Sequence, residues 1–407
     1  MDEGVTRSPS QVEPAPPLTR PCPVCWSVSW FVLYEQRFEN FAAGSITNSY
    51  DVVACRRCGM CYASGLPDQT RFFDYYGQSS KYDLAAEGAE LSRFDSERQR
   101  GEAQFIAAHV GDRAGPVLDI GTATGALLVA LRDLGFTSVH GVEPSAEAAR
   151  NARETHGLDV IVGDARAARS WGPIFSLVSF VAVLEHLIDP GAALREAADL
   201  LTEGGLLYLV VPDAATFRKN VDAPYQEFSV EHINYFTSLS LKNMIATVGL
   251  EVIVEQATVV HQSQDADSLA IEVLCRRSHR PPDIQIDSNG VDDLRAYVEL
   301  SAQKEAGVLA RIAKLAEDQN AIYIWGTGTN ALHLLAVSRL SECNIVGFLD
   351  SNPHYTGKQL AGRLVSAPQD VERLEAQILV ASAVSQTAIS AAARDRFGPE
   401  VPLILLY

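Results

Sequence analysis

A chain of 407 residues is too long for one ordinary hydrophobic core, and we expect three domains. Because 33 basic residues face 51 acidic ones, for a net charge of −18, a phosphate backbone would be repelled and nucleic acid is excluded as a favoured partner. No apolar run reaches the roughly 18 residues that span a bilayer, and the N-terminus lacks the apolar core of a signal peptide, so we predict a cytoplasmic protein that does not bind membranes.

The first two segments differ sharply in composition. Residues 1–20 carry four prolines and no hydrophobic periodicity, which predicts a disordered leader, with order beginning at Pro21. Over residues 21–85, short aromatic and β-branched runs alternate with turn residues. This pattern predicts a small β-rich module that needs a covalent or metal staple to fold.

Five of the seven cysteines fall in this module, and such clustering in a reducing compartment indicates a metal. Cys22 and Cys25 form one C-x-x-C turn, Cys55 and Cys58 form another, and this pairing is typical of a tetrahedral zinc site. Cys61 leaves open a further thiolate ligand or an iron–sulfur cluster, and buried cysteines without a metal are a third alternative. A closed four-cysteine site has no open position, so we predict a structural zinc.

Residues 86–275 open with a predicted helix over Glu87–Val110 and then alternate strand, turn and helix from Pro116 onward. Such alternation predicts a parallel sheet with helices on both faces. The expected strands are VLDI, SVHGVE, DVIVGD, LVSFVAV, GLLYLVVP, EVIVEQAT and LAIEVLC.

A nucleotide-binding loop is predicted where VLDIGTATG joins the first strand to a helix. Asp119, Gly121 and Gly125 stand where the backbone must approach a ligand closely. Ala123 replaces the middle glycine of a G-x-G-x-G pattern, so this loop alone is a weak signal.

The ends of the next two strands strengthen that interpretation. Glu143 ends the second strand, where a carboxylate can accept hydrogen bonds from both hydroxyls of a ribose. Asp164 ends the third strand, where it can accept from an adenine amino group while the Ala165 backbone contacts the ring edge.

This order of motifs resembles the class I S-adenosylmethionine (SAM)-dependent methyltransferases, on the segments VLDIGTATG, GVEPS, GDA, SFVAVLEHL and LTEGGLLYLVVPD. The resemblance covers about residues 90–275 and implies a doubly wound sheet that binds SAM and transfers its methyl group. A NAD dehydrogenase also places an acid after the second strand, but the last two segments have no role there. A zinc-stapled protein that binds SAM without turnover is the alternative of a different class.

Candidate catalytic groups follow the fourth and fifth strands, at the sheet edge where the reacting methyl group would lie. Methyl transfer to carbon or oxygen needs a base, and we predict His232, oriented by Glu231, with His186 as the fallback base. Each histidine also has a purely structural interpretation, because it stands next to a predicted helix start, where Thr237 would be one N-cap.

Three tyrosines, Tyr75, Tyr76 and Tyr82, precede this domain in FFDYYGQSSKYD. We include Tyr82 among the candidate catalytic residues, because this segment could close over the reacting groups and exclude water. Packing into the core is the alternative role.

The C-terminal part repeats the strand-turn-helix pattern. Residues 276–290 have the composition of an interdomain linker, and residues 291–407 are predicted to form a second Rossmann-like α/β domain. A helix over Asp292–Glu317 precedes the glycine-rich turn of IYIWGTGTNA.

The whole order of domains resembles the sugar C-methyltransferases that act on nucleotide-linked keto-deoxysugars. The resemblance implies a nucleotide-sugar substrate, with Gly326, Gly328 and Asp350 contributing to the nucleotide site. This chain departs from those enzymes at Ser229, where they have a tyrosine, and lacks their lysine after the C-terminal glycine loop. The alternative to methylation at carbon is methylation at oxygen or nitrogen. The alternative to a nucleotide site is a tight turn at Gly326 that binds no ligand.

Overall fold

The computed structural model of the protein describes residues 20–41, 46–79, 93–172, 174–219, 221, 223–261 and 267–407. In these ranges the strands form three sheets of four, seven and six strands. This is the mixed α/β fold expected from the sequence, in which a small antiparallel sheet accompanies two mainly parallel ones.

The N-terminal sheet has the strand order β1-β2-β3-β9, and all its pairs are antiparallel. Its strands are β1 (Trp30–Arg37), β2 (Ser49–Cys55), β3 (Cys61–Ser64) and β9 (Asn234–Tyr235). The β-rich module predicted from the sequence is therefore present. Its edge strand β9, however, comes from the middle of the chain and begins two residues after His232. It therefore ties a candidate catalytic segment to the cysteine module.

All seven strands predicted in the central segment pair into one sheet of order β10-β11-β8-β7-β4-β5-β6. They are β4 (Val117–Ile120), β5 (Val139–Glu143), β6 (Asp159–Val162), β7 (Phe175–Val181), β8 (Leu201–Pro212), β10 (Leu250–His261) and β11 (Asp267–Arg277). The first five are parallel, whereas β11 runs antiparallel to both its neighbours. Since only a few residues join β10 to β11, too few for the crossover that a parallel pair needs, this pair forms a hairpin.

The described ranges contain nine α-helices. They are α1 (Gln69–Ser79), α2 (Arg93–His109), α3 (Ala126–Asp133), α4 (Ala146–His156), α5 (Pro190–Leu200), α6 (Ser238–Thr247), α7 (Ser288–Asp318), α8 (Thr329–Val337) and α9 (Gln386–Phe397). Within those ranges no helix combines the length and the apolar character needed to cross a membrane.

Side-chain caps explain where two of these helices begin. Thr237 caps α6 as expected, by accepting from the Ser240 N–H. Asp287 caps α7 by accepting from Gly290, so this helix starts four residues before the predicted Asp292. The start of the helix predicted at Glu87 lies outside the described residues.

The C-terminal sheet has the order β14-β15-β13-β12-β16-β17, and only the β14–β15 pair is antiparallel. Its strands are β12 (Ile322–Trp325), β13 (Ile345–Leu349), β14 (Gln359–Leu360), β15 (Arg363–Ser366), β16 (Gln377–Val380) and β17 (Leu403–Leu405). Helices α8 and α9 connect parallel strands, which confirms the expected Rossmann-like unit.

The N-terminal sheet packs against both larger units. Val52 and Ala54 belong to a buried apolar cluster that also contains Ile312 and Leu332 of the C-terminal unit. Val53, on the opposite face of β2, belongs to the core of the central sheet. Because alternate residues of one strand face the two units, this small sheet holds them together.

The predicted disordered leader included Arg20, but this residue is packed into the structure, and residues 1–19 lie outside the described residues. Arg20 is only 5% exposed, and its side chain donates hydrogen bonds to several backbone carbonyl groups. A buried guanidinium needs such partners, and these lie far along the chain, where local sequence patterns do not reveal them.

Candidate functional site

The four cysteines of the two C-x-x-C turns meet in one buried group. The Sγ atoms of Cys22 and Cys58 are 3.5 Å apart, those of Cys25 and Cys55 are 3.4 Å apart, and all four lie within 4.8 Å of one another. Tetrahedral zinc with four bonds of about 2.3 Å to sulfur needs sulfur atoms roughly 3.8 Å apart. These four thiols therefore match the size and chemistry of a closed zinc site.

The neighbouring Cys61 does not belong to that group, although it is buried. Its Sγ donates to the Gly59 carbonyl oxygen at 3.6 Å, and burial raises the pKa of its thiol. Gly59 itself has a φ of +77° and packs against the Asp287 backbone, where a Cβ atom would collide. Glycine is thus required at this turn, for backbone conformation and for close packing.

A cavity of about 840 Å³ lies at the carboxyl ends of the parallel strands. This is the edge at which open α/β sheets bind ligands. Most of the site residues predicted in the central segment line it: Gly121, Glu143, Asp164, Ala165, His186, Glu231 and His232.

The loop after β4 has the backbone conformation of a ligand cradle. Gly121 and Gly125 have φ values of +80° and +85°, and a Cβ on Gly121 would lie 2.6 Å from Val183 Cγ2. Ala123, which replaces the middle glycine, also adopts a positive φ of +50°. Left-handed backbone costs a non-glycine residue about 1 kcal/mol, so the loop keeps its shape despite this substitution.

Glu143 is held in place by this loop. Its Oε2 accepts from the Ala123 N–H at 2.8 Å, and its Oε1 accepts from the Ser145 N–H at 2.8 Å. The side chain is therefore fixed at the cavity wall, with both carboxylate oxygens held by backbone N–H groups.

Asp119 lies beneath the loop rather than on the cavity wall. Burial raises the pKa of its carboxyl group to about 6, while hydrogen bonds from Ser179 and Thr122 oppose the shift. The Ser179 hydroxyl donates to Asp119 Oδ1 at 2.7 Å. This arrangement suits a residue that organises the glycine loop from below.

Asp164 and Ala165 line the cavity beyond β6. Asp164 Oδ1 accepts from the Arg166 N–H at 3.0 Å, and its Oδ2 accepts from the Arg166 guanidinium at 2.6 Å. Ala165 is buried and begins a 3-10 helix. An adenine amino group that donated to the Asp164 carboxylate would share this acceptor with Arg166.

The two candidate bases lie beside each other. The ring centroids of His186 and His232 are 4.9 Å apart, and the planes are inclined by 69°. His186 Nδ1 lies 3.0 Å from the Glu231 carbonyl oxygen, so this nitrogen donates and Nε2 is the basic one. Ligand-type atoms of Glu185, His186 and His232 all lie within 4.8 Å of one another.

The Glu231 side chain has a partner that the sequence did not identify. Its Oε1 accepts from the Tyr75 hydroxyl at 3.0 Å, which places α1 on the cavity wall. Burial and the charge of Glu231 raise the pKa of Tyr355, while a hydrogen bond with Tyr75 opposes this shift. Tyr82 and the Tyr76 side chain lie outside the described residues.

Sequence reasoning missed an ionic group that α2 contributes to the cavity. Arg98 lies 3.4 Å from Asp95 Oδ1 and 3.7 Å from Glu102 Oε1, and all three residues line the cavity. Glu102 is 5% exposed, and burial raises the pKa of its carboxyl group to about 7. No protein donor in the described part of the chain reaches Oε2 of Glu102 or Oε1 of Gln99.

A second cavity, of about 580 Å³, lies at the carboxyl edge of the C-terminal sheet, and Gly326, Gly328 and Asp350 line it. Gly326 has a φ of +98°, which explains its glycine through backbone conformation alone. Gly328 has a φ of −74°, and a Cβ there would meet no protein atom within 4 Å. Asp350 Oδ2 accepts from the Thr327 N–H at 2.8 Å.

The two cavities share part of one wall. Asn352 and Tyr355, which follow β13, line both of them. The Tyr355 ring also stacks on Phe41 of the N-terminal module, with centroids 5.1 Å apart. One elongated molecule could therefore occupy both cavities.

Comparison with protein families identifies the central part of the chain. Residues 93–255, from α2 into β10, match a family model described as a methyltransferase domain. The central segment thus carries a methyltransferase domain of the class I type, as its motifs indicated. The cysteine turns and the C-terminal unit lie outside this match.

Curated relatives align over part of their length. The chain is 35% identical over 99 residues to ubiquinone biosynthesis O-methyltransferase of Caulobacter vibrioides, which covers 23% of this chain and 39% of that protein. It is 26% identical over 188 residues to an uncharacterized 37.1 kDa protein in transposon TN4556 of Streptomyces fradiae, and this match covers 46% of this chain and 51% of that protein. The chain thus spans no more than about half of these two relatives' length.

Among solved structures, the chain is similar to magnesium protoporphyrin IX methyltransferase from Synechocystis PCC 6803 with bound SAH. It has a TM-score of 0.40 and 16% identity, and covers 51% of this chain and 99% of that chain. A complex of the Haloferax volcanii Trm112 activator with a methyltransferase gives a TM-score of 0.39 and 20% identity. This match covers 49% of this chain and 98% of that chain.

Proposed function

We propose that this chain, whose residues 93–255 carry a methyltransferase domain, transfers a methyl group from SAM to a nucleotide-linked sugar. The observation that carries the proposal is the wall formed by Asn352 and Tyr355, which both cavities share. A nucleotide in the C-terminal cavity would leave its sugar beside the candidate bases. We assign residues 21–85, 86–275 and 291–407 to three domains and residues 276–290 to the linker.

The first cavity fits SAM in its polar groups. Glu143 accepts from the ribose hydroxyls, Asp164 and the Ala165 backbone contact the adenine, and the backbone at Gly121 lies on the cavity wall. Gly125, with a φ of +85°, shapes the same loop. When bound, SAM supplies an electrophilic methyl group. The protein residues bind it, orient it and exclude water from it.

The ionic group on α2 fits the amino-acid end of the same ligand. Glu102 offers a buried acceptor without a protein donor in the described residues, which suits an ammonium group. Arg98, beside it, suits a carboxylate because its planar guanidinium can bind two oxygens at once. We assign both residues to this end of SAM.

Proton transfer is assigned to the pair of histidines. His232 removes a proton from the acceptor atom, and the electron pair left there forms the bond to the methyl group. The bond between the methyl group and the sulfonium sulfur breaks in the same step, and its electron pair stays on the sulfur of the departing thioether. Glu231 orients His186 through its carbonyl oxygen, and its carboxylate is held by Tyr75. His186, with a basic Nε2, is the second candidate for the same role.

The nucleotide assignment is supported by Gly328 more than by Gly326. The backbone conformation favours glycine at Gly326, whereas no described atom would lie within 4 Å of a Cβ at Gly328, and the absence of a side chain there leaves room in the cavity. Gly328 is also the N-cap of α8, a position at which backbone N–H groups favour phosphate.

Two alternatives to methyl transfer onto a sugar carbon follow from specific observations. The relatives named as O-methyltransferases support oxygen as the acceptor atom. A protein that binds SAM without turnover would need neither the histidine pair nor the second cavity. The buried cysteine group supports a structural zinc in either case.

A direct assay distinguishes these functions. Purified protein is incubated with SAM and a panel of thymidine- and guanosine-linked keto-sugars, and products are identified by mass spectrometry. The proposal expects one added methyl group on a nucleotide-sugar. Tight SAM binding without any methylated product would indicate the non-catalytic alternative, and methylation of phenolic acceptors alone would overturn the sugar assignment.

A further inference from the structure

Arg20 joins three separate segments of the protein through one side chain. Its guanidinium group makes five hydrogen bonds, the full number of its N–H donors. Nε donates to Ile188 O at 2.9 Å, Nη1 to Ala63 O at 3.4 Å and Ile233 O at 3.2 Å, and Nη2 to Leu187 O at 3.1 Å and Asn234 Oδ1 at 2.7 Å.

These acceptors come from the segments that carry the candidate bases. Leu187 and Ile188 directly follow His186, and Ile233 and Asn234 directly follow His232. The fifth acceptor belongs to β3 of the cysteine module. The Arg20 side chain therefore spans the gap between the two loops at their junction with the N-terminal sheet.

The contacts around Arg20 extend this link. The Asn234 side-chain amide donates to Leu184 O and Leu187 O, at 2.8 Å each. The Ile233 N–H donates to Glu185 O at 2.8 Å. Both loops are thus bound to each other as well as to Arg20, on either side of the histidine pair.

The buried charge makes this arrangement costly unless every donor is satisfied. An arginine guanidinium stays charged at neutral pH even when it is buried. The guanidinium also lies 5.5 Å from the centre of the Tyr62 ring. A lysine has a single, compact charged group and could not reach acceptors in three directions.

We propose that Arg20 is a positioning residue that fixes the relative placement of His186 and His232 for proton transfer. This inference rests on the proposed methyl transfer, because it assigns Arg20 a role in that reaction. Arg20 does not line either cavity, so it acts through the two loops and not by touching a substrate.

The test compares Arg20→Ala and Arg20→Lys with Arg56→Ala, which removes an exposed arginine of the same module. We expect kcat to fall by roughly 10²-fold in both Arg20 variants, as for a misplaced catalytic group, with SAM affinity unchanged. Guanidinium ion at low millimolar concentration should restore part of the kcat of Arg20→Ala, whereas methylammonium should not. Arg56→Ala should behave as wild type.

A second measurement does not depend on turnover. In protein with ¹⁵N-labelled histidine, Arg20→Ala should shift the imidazole resonances of His186 and His232 and leave those of the other histidines in place. Arg56→Ala should leave the resonances of all histidines in place.

These outcomes separate the two proposals. Unchanged resonances, or a kcat in Arg20→Ala equal to that of wild type, would overturn the positioning role. A loss of kcat that guanidinium does not restore, accompanied by loss of folded protein, would overturn it in favour of a purely structural role. Shifted resonances in a protein that methylates no substrate would support the placement of the loops and refute the proposed function.

Discussion

The backbone N–H of Ala123 donates to the Glu143 carboxylate at 2.8 Å and so joins the glycine-rich loop to the end of β5. The residue that replaces the middle glycine of the loop is thereby used to orient the carboxylate assigned to ribose. A shift of either residue would disturb both the loop and the acceptor.

Glu143→Ala should weaken SAM binding at least tenfold, or about 1.4 kcal/mol, because the acceptor for the ribose hydroxyls and the anchor of the loop are both lost. Isothermal titration calorimetry measures this directly. Glu154→Ala, on the exposed face of the following helix, is the matched control. SAM affinity equal to wild type in Glu143→Ala would refute the site assignment.

Glu102 should make both stability and SAM binding depend on pH near neutrality. Its folded-state pKa of about 7 lies above the unfolded value, so its stabilising contribution is present at low pH and lost as pH rises through 7. Glu102→Gln should therefore unfold with a free energy higher than wild type by up to about 3 kcal/mol at pH 8, and the difference should shrink toward pH 5.

Glu102→Gln should gain stability without ligand but lose affinity for SAM. SAM affinity of the wild type should increase as pH rises from 6 to 8, because the ionised carboxylate binds the ammonium group, while Glu102→Gln should bind weakly at every pH. Denaturant unfolding without ligand and calorimetry with SAM measure the two effects. A parallel pH dependence in both proteins would exclude Glu102 as the titrating group.

Gly328→Asp should separate ligand binding from folding. Aspartate is a favourable N-cap for α8, and its Cβ would meet no described protein atom within 4 Å, so the melting temperature should stay the same or rise. Its charge should repel a phosphate group and raise KM for the nucleotide-sugar at least tenfold, with SAM affinity unchanged. Gly328→Ser, an uncharged N-cap, should raise KM less. An unchanged KM in both variants would favour a turn without a ligand.

The cysteine group should bind one zinc per chain. Cys55→Ala should lose the metal, whereas Cys61→Ser should keep it, since Cys61 lies outside the four-thiol group. Because β9 pairs with β3, metal loss should disorder the segment around His232 while the central sheet stays folded. Elemental analysis and hydrogen exchange measure both effects. Iron in place of zinc would refute the assignment. A second equivalent of metal per chain would instead point to an ion at the histidine pair.

His232→Ala should lower kcat by about 10²–10⁴-fold, the usual contribution of a general base, and leave SAM affinity nearly unchanged. If carbon is the acceptor, wild-type protein should exchange the substrate's carbon-bound hydrogen with deuterated water in the absence of SAM. The variant should not. Full activity in His232→Ala would move the role to His186 or to solvent, and absence of exchange in wild type would favour oxygen as the acceptor.

Much of the fold could be predicted because its determinants are local. The seven strands of the central sheet are short apolar runs between turn residues, and Gly121 and Gly125 mark a loop whose positive φ values favour glycine. The paired cysteine turns indicated one cluster, since their spacing alone brings two ligands together in each turn. The positions of Glu143 and Asp164 on the cavity wall could be predicted because Glu143 ends β5 and Asp164 follows the end of β6 by two residues, and the motif order indicated the place of both strands in the sheet.

The remaining relationships depend on residues far apart in sequence. Nothing near Glu102 indicates a buried ionic group, because α2 has to pack beside the sheet before its carboxyl group lines the cavity. The antiparallel direction of β11 follows from its short connection to β10. The pairing of β9 with β3 follows from packing between the N-terminal module and the central unit. The hydrogen bond from Tyr75 to Glu231 likewise joins residues 156 positions apart, and no local pattern pairs them.

The sequence by itself thus determined the methyltransferase domain and the cysteine turns, whereas only the tertiary structure decided what surrounds the histidine pair. Arg20 shows the reason. It stands beside a proline-rich segment without periodicity, and its acceptor at Ile188 is 168 residues away. Backbone carbonyl groups carry no side-chain signature, so an acceptor built from them exists only after the loops have packed together.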